Sequence, residues 1–214
     1  MRSINDYYNF YQYVLRKERG SFVTPTQFTQ NLDAGQLDCF EEWFKPYGAN
    51  QEIHDALRPF RVYQIFTSNA AGFVTYQSDY FHLLGQPFTV TGSTVNRIEF
   101  LNEDDLPFAL TSQLRPVTTA YPIAVDTSTG FSIYPQTTQT GAYFYLRRPA
   151  TPVLSFTQVG RVITYDSATS VQLEWNEVYI NNILAKALKY AGINMNEQGI
   201  LQYADAYNNE TKPQ

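Results

Sequence analysis

The side chains best suited to chemistry in this chain are two histidines and one cysteine, His54, His82 and Cys39. A histidine can act as a general acid or base or bind a metal, and a cysteine can act as a nucleophile, but each role needs a positioned partner. Neither histidine has a His or Cys at metal-ligand spacing, and Cys39 has no base near it in sequence. Cys39 also falls in an apolar helical stripe, which predicts a buried, unreactive thiol.

A run of three acids, Glu103, Asp104 and Asp105, is the other candidate for chemistry. These carboxylates could hold a metal ion, but acids at a helix start usually complement the helix dipole, and we interpret them in that way. The sequence has no P-loop, GxGxxG or GxSxG motif. We therefore predict that the protein is not an enzyme and uses no cofactor or metal. An enzyme assembled from scattered carboxylates and His82 is the least favoured alternative.

One concentrated basic spot follows a strand-like run, at Arg147, Arg148 and Pro149. Proline cannot continue a central strand, so the run must end there. The two arginines are either solvated cations at a strand end or a contact with acidic residues of a neighbouring subunit, because Arg is enriched at protein interfaces. Both interpretations stay open from the sequence.

The composition is that of a globular protein rich in aromatic residues. The chain has 214 residues, of which 43% are hydrophobic and 16% are charged, and it contains 17 Tyr and 15 Phe. This length suits one domain with helical extensions. Many of the tyrosines must be at least partly exposed, which suits extensive contact surfaces, although they could equally fill strand positions.

The formal net charge of −5 bears on possible partners. It argues against a protein that reads or wraps nucleic acid, which needs a basic surface, but an acidic wall suits a passage through which DNA moves without sticking. The single cysteine excludes an internal disulfide. We see no secretory signal and no apolar run of the roughly 18 residues that a membrane helix needs, so we expect a soluble protein made in the cytoplasm, with no membrane contact.

The first 59 residues are predicted to form a small helical unit. Ser3 and Asp6 form an acidic capping box at the start of a first helix that ends at Gly20. Thr24, followed by a proline and Gln27, starts a second helix, which we expect to stop at Gly35. A third helix is predicted over residues 37–48 and a brief fourth over residues 50–57.

Residues 60–170 show the period-two pattern of strands. We expect strands over residues 62–66, 73–76, 80–84, 88–91 and 95–101, and a short helix over residues 103–114 capped by Asn102. Residues 131–135 and 142–146 are predicted to pair as a hairpin, and so are residues 153–156 and 162–165. Many short strands indicate a mostly antiparallel β-sandwich or small barrel with one inserted helix.

The last segment, residues 171–214, returns to helical spacing. Glu174 and Glu177 lie at the start of a predicted helix, an apolar stripe follows them, and Gly192 is the predicted C-cap. Asn196 is expected to start a last helix before a polar tail over residues 208–214. The predicted fold class is thus α+β, with a helical region over 1–59, a β-rich core over 60–170 and a C-terminal helical arm over 171–214.

Several segments together resemble a family of phage proteins. They include a proline-led strand at residues 121–124, a strand ending in proline at 131–135, the run Tyr-Phe-Tyr-Leu-Arg-Arg-Pro at 143–149, and Glu-Trp-Asn-Glu at 174–177 before a long amphipathic helix. Residues 97–105 and 112–116 share this likeness. The chain from residue 95 to 207 resembles the head-to-tail connector or ring proteins, also called tail adaptors, of tailed phages, including the crAss-like group and related phages of Bacteroidetes-type hosts.

This resemblance implies a structural role in the virion. Proteins of this kind form homo-oligomeric rings, commonly of twelve copies, between the portal and the tail, where they seal the packaged capsid and leave a channel for double-stranded DNA. The implied partners are the portal and neighbouring ring or tail proteins, and the implied location is the virion, assembled in the host cytoplasm. The candidate subunit or ring contacts are Arg147, Arg148, Trp175, Tyr179, Ile183 and Leu188.

The alternative is a monomeric β-sandwich module that binds a carbohydrate or protein ligand without catalysis. Such a module would place aromatic side chains on one β face as stacking platforms. The two tryptophans, Trp43 and Trp175, fall in segments predicted to be helical, which counts against this alternative.

Overall fold

The structure is a computed structural model that describes residues 2–45, 51–159, 162–193 and 197–210. The chain divides into two compact units: Phe60–Arg148, which we call the β unit, and Met1–Pro59 with Pro149–Gln214, which we call the helical unit. Helices and mostly antiparallel sheets are both extensive, so the predicted α+β class is confirmed. Residues 149–170, grouped above with the β-rich core, fall in the helical unit. Within the described residues, no helix is long and apolar enough to cross a lipid bilayer.

The first helix, α1 (Ile4–Arg19), begins and ends where its capping residues predict. The Ser3 hydroxyl accepts from the Asp6 backbone N–H, and the Asp6 carboxylate accepts from the Ser3 backbone N–H at 2.9 Å. Gly20 ends the helix in the left-handed region at φ 61°, which a glycine adopts without steric cost. The face of α1 that carries Tyr11 and Val14 is buried, as its helical spacing requires.

The second helix is longer than predicted, because α2 (Pro25–Phe44) continues through Gly35. The predicted stop at Gly35 and the separate third helix are therefore wrong. A Cβ at Gly35 would lie 2.8 Å from the Ile183 carbonyl oxygen and 2.9 Å from the Ala187 nitrogen. Gly35 thus allows a close approach of two helix backbones. Beyond α2, α3 spans Gln51–Ala56, and residues 46–50 lie outside the described residues.

The C-terminal helices are α5 (Glu177–Tyr190) and α6 (Glu197–Glu210). Helix α5 buries the predicted apolar stripe and begins after Asn176. Glu174 lies before the helix, and its carboxylate accepts from the Ala150 backbone N–H at 3.0 Å. Residues 208–210 are helical rather than part of a tail, and the predicted cap Asn196 lies outside the described residues.

The β unit contains two four-stranded sheets. The first has the order β1-β8-β3-β4 and the second the order β2-β7-β6-β5, and every neighbouring pair is antiparallel except β5 and β6. The strands are β1 (Arg61–Thr67), β2 (Phe73–Thr75), β3 (Tyr80–Thr91), β4 (Thr94–Arg97), β5 (Glu99–Leu101), β6 (Ile123–Thr127), β7 (Gly130–Tyr134) and β8 (Thr140–Arg147).

One core is shared by both sheets, as in a β-sandwich. Phe66 and Tyr143 from the first sheet meet Phe131 and Ile133 from the second. The Phe131 and Tyr143 rings meet edge to face, with centroids 5.8 Å apart, which is a favoured aromatic geometry. Between Phe60 and Arg148, a range that the structure describes completely, the two sheets stay separate and do not close into a barrel.

The predicted hairpin of residues 131–135 with 142–146 is wrong, because its two strands lie in different sheets. Strand β7 pairs with β2 and β6, whereas β8 pairs with β1 and β3. Each strand is therefore interior to its own sheet, and both of its edges are already occupied. The connection over residues 135–139 carries the chain from one sheet to the other.

Two further strand boundaries differ from the prediction. Residues 80–91 form one strand, β3, in which the register against β8 shifts between Leu84 and Phe88, and Gly85 at φ 70° lies within that shift. Conversely, residues 95–101 are divided between β4 in the first sheet and β5 in the second. A bulge can absorb a glycine and a proline without ending a strand, which explains the first difference.

The remaining predicted elements are partly confirmed. Strands β9 (Phe156–Val159) and β10 (Val162–Tyr165) pair antiparallel in the helical unit, so the predicted strand over residues 162–165 is confirmed. Its partner begins at Phe156 rather than ending there, and Val153 bridges to Val171 instead. In the β unit, a 3-10 turn over Glu103–Asp105 leads into α4 (Leu106–Thr111), which is shorter than predicted. Asn102 makes no side-chain cap to this turn.

Candidate assembly surface

An exposed apolar surface lies on the first sheet, on the side away from the core. Alternation along β1 and β8 directs Phe66, Tyr143 and Tyr145 into the core and their sequence neighbours outward, although two of those neighbours, Ala142 and Leu146, are themselves buried. The outward side chains form what we call the outer face, defined by Tyr63, Ile65, Val90, Val95 and Phe144, each at least 40% exposed.

The strand register places side chains of the outer face in neighbouring pairs, with Ala142 and Phe88 between the pairs. Tyr63 is opposite Phe144, and their ring centroids are 5.0 Å apart. Val90 is opposite Val95 on β3 and β4. Since neighbouring strands are about 4.8 Å apart, a face that spans four strands is roughly 14 Å wide. A patch of this kind on one sheet marks a contact surface more often than scattered apolar residues do.

The charges on the first sheet are all of one sign. Arg61 and Arg97 are exposed, and their register partners Leu146 and Phe88 place them on the same side as the outer face. The four strands of this sheet, which the structure describes completely, contain no Asp or Glu. The outer face therefore combines apolar side chains with a positive border.

A second exposed apolar feature is the segment between β5 and β6 that contains α4, residues 102–115, which we call the arm. Phe108 is 77% exposed, Leu114 is fully exposed, and Leu110 is exposed as well. The three acids of residues 103–105 are exposed at the start of the arm. The Arg115 guanidinium pairs with the Glu99 carboxylate on β5 at 2.8 Å and so ties the end of the arm to the sheet.

The structure places three of the predicted contact residues inside the helical unit. Trp175 is buried between the rings of Phe40 and Trp43, and its Nε1 donates to the Gln36 side-chain oxygen at 3.3 Å. The α5 residues Ile183 and Leu188 are also buried. Because these side chains pack within their own chain, they present no surface to another subunit. Trp175 precedes α5 rather than lying in a helix.

The other three predicted contact residues lie nearer the surface. Tyr179 packs edge to face on Trp43, and its hydroxyl donates to the Glu52 carbonyl at 3.5 Å. The guanidinium of Arg147 lies 5.5 Å from the Phe60 ring centroid in the β unit. Arg148, also in the β unit, lies 5.9 Å from the ring of Phe81. A contact role for Tyr179, Arg147 and Arg148 stays a prediction.

The residues considered for chemistry occupy ordinary environments. Cys39 is buried, and burial raises the pKa of its thiol to about 12, so the prediction of a buried thiol is confirmed. His82 lies on β3, and partial desolvation lowers the pKa of its imidazole, while the charge of Asp126 opposes that shift. Across the described parts of the chain, no three His, Cys, Asp or Glu side chains come together as a metal site.

A polar pocket lies at one margin of the sandwich. It has a volume of about 390 Å³ and is bordered by the edge strands β1 and β2, with Tyr143 among its lining residues. The Tyr143 hydroxyl is buried and makes no hydrogen bond of good geometry within the described residues, although the Gln77 backbone lies close to it. Burial raises the pKa of Tyr143 to about 12, so this hydroxyl is neutral at physiological pH.

Sequence reasoning did not identify the outer face or the arm. The signal for the outer face was the sequence of β1, Arg-Val-Tyr-Gln-Ile-Phe-Thr, in which apolar residues occupy both alternating sets. A strand with one solvated face would alternate apolar and polar residues strictly. In the arm, the corresponding signal was an acidic run followed by Phe108, Leu110 and Leu114, which do not share one helical stripe.

Comparison of the sequence with models of known protein families and with curated proteins finds no match. The choice among functions therefore depends on the physical features of the chain and on the resemblance described above.

Proposed function

We propose that this protein is a structural subunit of a virion, which forms a homo-oligomeric ring in the connector between the portal and the tail of a tailed phage. The observation that carries the proposal is the outer face, five apolar side chains exposed together on one sheet. A fully buried aliphatic or aromatic side chain contributes about 1.5–3 kcal/mol relative to an exposed one, so this face favours association strongly. The ring and its phage context come from the resemblance.

The proposed role needs an interface that repeats and a channel that does not hold DNA. A ring forms when one surface of each copy binds a different surface of the next copy and the rotation closes. The formal net charge of −5 disfavours tight binding of phosphates, which suits transient passage of double-stranded DNA without sequence recognition. Partners would be the portal and the adjoining ring or tail proteins.

The test is the mass of the purified chain in solution, measured alone and with a phage portal protein by mass photometry. We expect a closed oligomer, either spontaneously or when the portal is added. The variant Ile65→Asp should remain monomeric in both conditions, because it places a charge in the outer face. The matched control is Val178→Asp, which changes an exposed apolar residue of α5 in the same way and should assemble normally. A wild-type chain that stays monomeric and does not bind the portal would contradict the proposal.

A monomeric binding module is the second candidate function, and the pocket beside Tyr143 favours it. The pocket has a volume of about 390 Å³ and is lined by polar side chains such as Asn69 and Gln77, which suits a small polar ligand such as a carbohydrate. The test is a titration with a panel of neutral oligosaccharides followed by NMR. Binding that is lost in Gln77→Ala, with the fold intact, would support this function, and no response to the panel would count against it.

A further inference from the structure

We propose that the subunits join through the arm of one copy, which docks on the outer face of the next copy. This inference depends on the proposed function, because it specifies the contact by which such a ring would assemble. Both surfaces belong to the β unit, and the structure describes that unit completely.

The two surfaces match in their apolar character. The arm presents Phe108, Leu110 and Leu114 to solvent, and Leu114 is fully exposed. Side chains of this size are costly to leave in water unless a partner covers them. The outer face is an exposed sheet surface, with Ile65 63% exposed, so it can contact the side chains of a short helical segment. In a single chain both surfaces are exposed, so the arm does not cover the outer face of its own copy.

The two surfaces are also complementary in charge. The arm begins with three exposed carboxylates, Glu103, Asp104 and Asp105. The outer face is bordered by the guanidinium groups of Arg61 and Arg97 on a sheet without carboxylates. Opposite charges across an interface steer association and fix its register, whereas like charges penalise the wrong partner. This complementarity is the reason to assign a second copy of the same chain as the occupant of the outer face.

The arrangement is heterologous, because two different surfaces of the chain meet. Each copy carries one arm and one outer face, so every copy binds one neighbour on each side. Such a contact gives a ring when the rotation between neighbours closes and an open filament when it does not. An isologous dimer, in which the same surface meets itself, would stop at two copies.

Two variants, each changed only at exposed residues, distinguish the heterologous contact from an isologous dimer. The arm variant carries Phe108→Asp and Leu114→Asp, and the face variant carries Ile65→Asp and Val95→Asp. Each alone should remain monomeric by mass photometry. Mixed in equal amounts, they should form a dimer and nothing larger, because only the intact arm of one and the intact face of the other can meet. Unchanged circular dichroism and Tm would show that both variants fold.

A crosslink tests the same contact directly. Oxidation of an equimolar mixture of Leu114→Cys and Ile65→Cys chains should give a disulfide-linked dimer, since the native Cys39 is buried. The control mixture of Leu114→Cys with Val178→Cys should give much less. A wild-type chain that assembles while neither the mixed dimer nor the crosslink forms would overturn the arm contact and leave the proposed ring intact. A wild-type chain that neither assembles nor binds the portal would overturn both.

Discussion

The substitution Gly35→Ala tests whether α2 and α5 pack as closely as the structure shows. In a helix interior, alanine is favoured over glycine by about 0.8–1.0 kcal/mol, so propensity alone predicts a more stable protein. The new Cβ would lie 2.8 Å from the Ile183 carbonyl oxygen and 2.9 Å from the Ala187 nitrogen, and both are backbone atoms. Overpacking of this kind costs about 1–3 kcal/mol because the helices must separate. The net expectation is destabilisation by about 1 kcal/mol.

The assay is urea unfolding of the two proteins with circular dichroism detection, supported by thermal melts. In a protein of this size, 1 kcal/mol lowers Tm by about 2–4 °C. The control pair is Glu41→Ala and Glu41→Gly at an exposed position of the same helix, where alanine should be the more stable by the propensity difference alone. If Gly35→Ala is more stable than wild type, the close contact between α2 and α5 is refuted.

Three other outcomes follow from buried groups of the structure. Trp175→Ala should lower the free energy of unfolding by about 3–5 kcal/mol in urea titrations, because the substitution leaves a cavity beside Gln36. A loss below about 1 kcal/mol would contradict the burial of Trp175. Burial and the hydrogen bond to Asp79 raise the pKa of Tyr145 to about 12, above the unfolded value near 10. The protonated Tyr145 hydroxyl therefore contributes its full stabilisation below pH 10, and this stabilisation disappears as the pH rises through 12. Tyr145→Phe should therefore make the alkaline loss of stability shallower between about pH 10 and 12, and an unchanged slope would argue against the shifted pKa. The Cys39 thiol should react with a chromogenic disulfide reagent only as fast as the chain unfolds, and rapid reaction of the native protein would show that it is accessible.

Local signals in the sequence predicted several elements well. The capping pairs Ser3–Asp6 and Thr24–Gln27 located two helix starts, because each pair satisfies backbone groups that any helix leaves unpaired. The apolar stripe of α5 predicted its buried face for a similar reason. These signals depend on residues within about one helical turn of one another.

Long-range pairing could not be predicted in the same way. A glycine such as Gly35 can either end a helix or allow a neighbouring backbone to approach, and the local sequence does not distinguish these two roles. Only the position of α5 shows that Gly35 has the second role. Strands β7 and β8 are adjacent in sequence, yet they lie in different sheets, where β7 pairs with β2 and β6 and β8 pairs with β1 and β3. The alternation of side chains along a strand shows which residues share a face, but it does not show to which sheet the strand belongs.

The exposed surface could not be predicted from local sequence either. An apolar stripe such as the one with Ile183 and Leu188 indicates burial but does not tell whether the partner is the same chain or another, and the structure shows burial within the chain. The outer face was missed because Tyr63 and Ile65 alternate with core residues in a strand that is apolar on both sides. Exposure can be assigned only when the sheet and its core are known.

The most direct test of the central claim is electron cryo-microscopy of the wild-type chain mixed with a phage portal protein. The proposed function predicts a closed ring of this chain on the portal, and the arm contact predicts residues 102–115 of each subunit against the outer face of the next. A portal that carries no density for this chain, together with a chain that stays monomeric in the same sample, would contradict the assignment as a connector subunit.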